Sequence, residues 1–160
     1  MNILAIDCGT YTGWAARHDG VIDSGIQTFD LKRGESPGMR FLRFNAWLEE
    51  MFSLVNPEVV TYEQAHHRGG ATTVLMVGMT TRIDEFCARH GIEHAAVHSA
   101  TLKKSATGRG KADKADMIKS AKKLYPGIDI FNDDHADALC LLACMEKQLG
   151  AIQQLEEGKQ

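Results

Sequence analysis

The chain has 160 residues, 44% of them hydrophobic and 24% charged, with a formal net charge of −3. That length and balance suit one globular domain whose core needs no disulfide staples, and they exclude disordered and fibrous classes. No apolar run approaches the ~20 residues of a membrane helix. The first residues, Met1-Asn2-Ile3-Leu4-Ala5-Ile6-Asp7, lack the basic region of a signal peptide. Cys8, Cys87, Cys140 and Cys144 form no C-x-x-C pair, so reduced thiols in a cytoplasmic protein are expected, with no membrane partner. Charge is uneven: residues 103–123 carry eight Lys or Arg against two Asp, a local net of +6, which leaves −9 for the rest of a chain totalling −3. One basic segment on an otherwise acidic protein suits a polyanionic partner, whereas a plain lysine-rich helix would serve only solvation.

In chain order, residues 2–7 read as a buried strand ending in Asp7, followed by a Cys8-Gly9-Thr10 turn. Segments 13–18 and 21–29 read as strands joined by the hairpin dipeptide Asp19-Gly20. Ser36-Pro37 opens a helix whose apolar stripe is Met39, Leu42, Trp47, Met51 and Leu54. Val59 to Glu63 is a β-branched strand closed by a second acid, and Gly69-Gly70 leads into a helix over 72–90 with Val74, Leu75, Val77, Ile83 and Phe86 inward. Gly91 is placed to end that helix in a left-handed cap. Residues 94–98 form a further strand and a short helix runs from Ser99 to about Gly108. Asp113 and Asp116 cap a helix reaching Leu124, and Asn132 or Asp133 caps a last helix that stops at Gly150. The expected fold is α/β, a mixed five-stranded sheet with three antiparallel and then parallel strands and helices on both faces. It occupies residues 1–150, with 151–160 as a polar C-terminal tail.

Four acids stand at chemically useful places. Asp7 and Glu63 end buried strands, and Asp134 and Asp137 share one face of the last helix at its start. Each alone would pass for a cap or turn residue; together they form an oxygen-donor set suited to a hard divalent cation. Asp133 is assigned to helix capping. His135, between the paired acids, is open to two roles, a donor to a carboxylate or phosphate and a mere helix neighbour.

Four blocks of residues then carry a resemblance: Ile3-Leu4-Ala5-Ile6-Asp7-Cys8-Gly9-Thr10, Tyr62-Glu63-Gln64, Thr107-Gly108-Arg109-Gly110-Lys111-Ala112-Asp113-Lys114, and Asp134-His135-Ala136-Asp137-Ala138-Leu139. In this order they resemble the RuvC family of Holliday-junction resolvases, of the ribonuclease H-like superfamily, and the chain looks most like a bacteriophage-borne member. The resemblance implies a homodimeric, structure-selective DNA endonuclease that hydrolyses phosphodiesters by a two-metal route, with Mg²⁺ or Mn²⁺, two ions per site, as cofactor. It implies nicks leaving a 5′-phosphate and a 3′-hydroxyl, and branched DNA as partner: four-way junctions and, with them, forks and flaps. Asp7, Glu63, Asp134 and Asp137 become the metal-binding carboxylates and Lys114 a catalytic lysine. Lys103, Lys104, Gly108, Arg109 and Lys111, with His66, His67 and Arg68 of the loop after Glu63, become DNA contacts. His66 stands where bacterial members usually carry a wedge phenylalanine. Met76, Val77 and Met79 on the helix over 72–90 suggest the dimer face. If phage-encoded, the protein acts in the cytoplasm of a bacterial host.

Two readings from other classes compete. Asp7-x-Gly9-Thr10 also resembles the phosphate-binding turn of sugar kinases and actin-like ATPases, though a second lobe and phosphate motif are missing from the sequence. A non-catalytic binder of branched DNA would keep the fold without needing all four acids.

Overall fold

The hairpin between strands β2 (Tyr11–His18) and β3 (Val21–Thr28) is set by Asp19 and Gly20, both with positive φ, at 49° and 79°. Two left-handed residues match the right-handed twist of the flanking strands. The computed structural model describes residues 1–67 and 69–158, apart from the side chain of Glu156. β2 pairs antiparallel with β1 (Ile3–Asp7), which pairs parallel with β4 (Val59–Glu63), itself parallel to β5 (Glu93–Val97). Among the described residues, five strands make one sheet in the order β3-β2-β1-β4-β5. The expected mixed sheet is therefore present, with helices covering both faces.

Strand alternation divides the core. Leu4, Ile6, Ala16, Val60 and Tyr62 pack on helices α1 (Gly38–Val55) and α2 (Gly70–His90), through Phe44, Trp47, Leu48, Ile83 and Phe86. Ile3, Ala5, Ala15, Val59 and Val97 pack on the other side, under α3 (Ser99–Thr107), α4 (Lys114–Leu124) and α5 (Asp133–Glu157). Side chains two apart on a strand share a face. Asp7 thus joins Ile3 and Ala5, and Glu63 joins Val59, on the side of α5. All four cysteines are buried and unbridged. None of the described helices is long and apolar enough to cross a membrane.

Several local readings change. The α1 stripe is shifted: Leu42 and Leu54 are exposed, and Phe44, Leu48 and Val55 are buried in their place. No side chain caps α1; Met39 donates its backbone N–H to the Ser36 carbonyl instead. α2 begins at Gly70 and ends, as expected, at a left-handed Gly91. Val74 is exposed, while Met79, expected on the dimer face, is fully buried. The Asp113–Asp116 capping box of α4 is present with both reciprocal bonds. α5 does not stop at Gly150 but continues to Glu157, through a stretch where Ile152 and Leu155 are exposed. A glycine late in a helix weakens it without obliging it to end.

The seating of α5 on the sheet rests on Gly13. This residue faces Asp7 in the β1–β2 register, and a Cβ there would run into the carbonyl group of Asp134 and lie 3.1 Å from the amide nitrogen of His135. An isolated glycine inside a strand marks such a close backbone approach. Gly13→Ala is expected to cost about 1–3 kcal/mol in urea unfolding, because backbone rather than a flexible side chain must yield. Wild-type stability in that variant would show that α5 is not held against β2 here.

Candidate metal and nucleic-acid site

The carboxyl ends of β1 and β4 lie side by side, with Ile6 opposite Tyr62, so Asp7 and Glu63 emerge as neighbours on the α5 face. Over them sits the first turn of α5. Asn132 makes its cap: the side-chain oxygen accepts the His135 N–H at 2.9 Å and the carbonyl accepts that of Ala136 at 3.2 Å. Capping therefore falls to Asn132. Asp133 instead makes an ion pair with Lys114, which holds its carboxyl below the usual range and raises the Lys114 ammonium. Paired charges shift each other in these directions.

The four acids share one electrostatic environment. Desolvation pushes Asp7 well above the usual carboxylate range, and the charges of Asp137, Glu63, Asp134 and Asp133 push it further. Asp134 is raised by desolvation and by Asp133, partly offset by Lys114. Asp137 is pushed up to about 7, chiefly by desolvation and then by Glu63, Asp133 and Asp134, with Lys103 pulling it back. Its Oδ1 is buried without a hydrogen-bond partner. Like charges packed this way ask for a cation, and the orphaned oxygen together with an all-carboxylate donor set fits a hard divalent ion. Among the described residues no three His, Cys, Asp or Glu already stand as a closed ligand group.

Around this cluster the expected DNA contacts divide. Lys114, 82% exposed at its side chain, and Lys103 both act electrostatically on the acids. Lys103 also lines a cavity of about 540 Å³ with His66, Gly69, Thr72, Thr73, Met76 and Ser99. Lys104 points elsewhere, into a groove of about 710 Å³ between α3 and α5 that Cys144 and Lys147 also line. Arg109 is tied to Asp116 at 2.8 Å, and Lys111 is exposed. Gly108 has φ of 82° and caps α3, which by itself accounts for a glycine there. His66 reaches back to Glu63, Nε2 to Oε1 at 3.2 Å, and His67 is exposed. Arg68 lies outside the described residues.

His135 proves structural. It is 1% exposed, its Nδ1 accepts the Phe131 N–H at 3.2 Å, and its Nε2 stands 2.9 Å from the Ser24 hydroxyl. An accepting Nδ1 leaves the proton on Nε2, so the ring is neutral and donates to Ser24 on β3; burial lowers its pKa in agreement. It is neither a phosphate ligand nor a donor to a carboxylate. Asp133, expected as the cap, is instead the partner of Lys114; Gly13 and Ser24 were not singled out in the sequence, and only Gly13, interrupting a strand pattern, left a readable signal.

A mixed sheet of this order, bearing acids at the adjoining ends of β1 and β4 beneath a helix start, defines a ribonuclease H-like protein with a candidate metal-dependent nuclease site. No family model matches the chain. The crossover junction endodeoxyribonuclease RuvC of Parvibaculum lavamentivorans is 30% identical over 154 residues, covering 90% of this chain and 85% of that protein. The RuvC of Zymomonas mobilis is 28% identical over 150 residues, covering 88% and 87%. In structure, Thermus thermophilus RuvC in complex with a Holliday junction substrate aligns with a TM-score of 0.73 at 18% identity, covering 88% of this chain and 90% of that one. The chain belongs to the RuvC family.

The raised Asp137 gives a pH prediction for the metal-free protein. The folded group titrates near 7 and the unfolded one near 3.8, so the folded state loses stability as pH rises between those values. His135 acts in the opposite sense and cancels between wild type and variant. In EDTA, Asp137→Asn is expected to be more stable than wild type by on the order of 2–4 kcal/mol at pH 8, with little difference near pH 4. A variant no more stable at pH 8 than wild type would contradict the crowding of charge.

Proposed function

We propose that the chain is a metal-dependent, structure-selective DNA endonuclease that resolves Holliday junctions. The observation that carries this reading is the convergence of Asp7, Glu63, Asp134 and Asp137 at one end of the sheet. Family membership supports it. A bound divalent cation, Mg²⁺ or Mn²⁺ and two per site by family resemblance, would be held by these four carboxylates and would supply an activated water together with charge neutralisation at the phosphate. The chain's own residues do the rest. Lys114 and Lys103 offset the negative charge that the acids and a phosphodiester bring together. Gly13 and the Asn132 cap hold the α5 carboxylates in register with those of the strands. By family resemblance, hydrolysis leaves a 5′-phosphate and a 3′-hydroxyl.

The assembly we propose is a homodimer with two such sites, each cutting one of two opposed strands. Val74, 69% exposed, and the half-buried Val77, three residues on along α2, lie on one face of the helix, an apolar surface that a second copy would cover. Partners are four-way junctions, with forks and flaps as further substrates. The site of action is the bacterial cytoplasm, where four buried, unbridged cysteines remain reduced. The relatives named above are bacterial, so a bacteriophage origin rests on sequence resemblance alone. The kinase-like reading loses its support in the turn after Asp7, where the Gly9 carbonyl accepts the Thr12 hydroxyl at 2.8 Å and the Gly9 N–H faces the same oxygen at 3.4 Å. A turn closed on its own side chain offers little to a nucleotide phosphate.

With Mg²⁺ or Mn²⁺, the purified protein is expected to nick synthetic four-way junctions far faster than linear duplex, and EDTA is expected to stop it. Asp7→Asn should bind junctions at wild-type strength while nicking falls below detection. Intact junctions after incubation of the wild type with both metals would overturn the assignment.

A further inference from the structure

Phe131 is the most exposed aromatic side chain among the described residues, at 73%. A single exposed apolar residue is ordinary, but this one is held in place. The loop before α5 alternates, with Ile128 and Ile130 packed against the core, so the ring at 131 is directed outward by anchored neighbours. Its inner face stacks on the His135 ring, centroids 5.2 Å apart and planes 21° from parallel. His135 is in turn fixed through both nitrogens, to the Phe131 N–H and to the Ser24 hydroxyl. The outer face of Phe131 therefore presents a flat π surface of set orientation, three residues before Asp134.

We propose, building on the nuclease reading above, that Phe131 is a stacking platform for an unpaired nucleobase of branched DNA beside the scissile phosphate. The chemistry of the neighbourhood selects a base. The exposed apolar ring has no polar atom to offer a backbone phosphate, whereas the face of a base can stack on it. Base–aromatic stacking tolerates any base and requires one that has left its own stack, a condition that branch points meet and continuous duplex does not. On the opposite flank, the loop after Glu63 presents His66, whose ring is engaged with Glu63. The two flanks thus divide the work: His66 contacts the carboxylate cluster and Phe131 contacts the substrate. Phe131 is a substrate-positioning residue that favours branched over linear DNA.

The test places Phe131→Leu, Phe131→Ala and Phe131→Trp in the Asp7→Asn background and measures binding to four-way junction and linear duplex, with thermal unfolding as a check on folding. Leu and Ala variants are expected to bind the junction roughly tenfold more weakly with duplex binding unchanged, whereas Trp retains affinity. The added indole should be quenched by the junction, relative to the parent containing only Trp14 and Trp47, and left unaltered by duplex. Equal junction binding by Phe131→Leu and its parent, or an indole blind to the junction, would overturn the platform alone. If the protein with native Phe131 shows no preference for junctions, the nuclease reading falls and this inference falls with it.

Discussion

The structure depends on bringing the first turn of α5 hard against β2 at Gly13, which forces like charges together at the end of β1. The core drives this approach: Leu139, Leu141 and Leu142 are fully buried, and Ala136 and Ala138 let the helix lie close to the strands. Apolar burial over the length of α5 offsets the repulsion concentrated in its first turn. The folded chain thus holds carboxylates in an environment that favours their neutral forms, a strain that a bound divalent cation would relieve. Sites that are costly to the bare fold and chemically potent recur where function and stability conflict.

Electrostatics also organise the surface. Of the eight cations between residues 103 and 123, Arg109 is paired with Asp116 and Lys114 with Asp133. The +6 of that stretch already counts Asp116, and the pairing of Lys114 with Asp133 outside it lowers the free charge by one more; its members have separate tasks. Lys103 and Lys114 act on the acidic cluster. Arg109 steadies the capping box that starts α4. Lys104, one residue from Lys103, faces a different groove. Adjacent residues on a helix point about 100° apart, so a basic run seldom acts as one patch.

Much of this was legible in the sequence, for reasons that can be named. Asp7 and Glu63 were read as the acids that close two strands; that those strands are neighbours, with both acids on one face, comes from the sheet register. A three-residue interval placed Asp134 and Asp137 on one side of a helix. Asp19-Gly20 and Gly91 marked backbone positions with positive φ, and both marks held. What escaped depends on distant partners. The face that α1 buries follows from where the sheet lies, so Leu42 and Leu54 entered the expected stripe and are exposed. Asp133 met Lys114 because α4 packs beside α5, a contact no local pattern encodes. His135, read as a candidate for phosphate, has both ring nitrogens engaged, by the Phe131 N–H and by Ser24 on a strand 111 residues earlier.

The central claim is that Asp7, Glu63, Asp134 and Asp137 act as one cation-holding group. Its most direct measurement is calorimetric titration of Mn²⁺ into wild type and into the four single Asn or Gln variants at neutral pH. Saturable binding to wild type that weakens in every variant is the result the account predicts. Unchanged Mn²⁺ binding in any one of the four would remove that residue from the group, and unchanged binding in all would contradict the account.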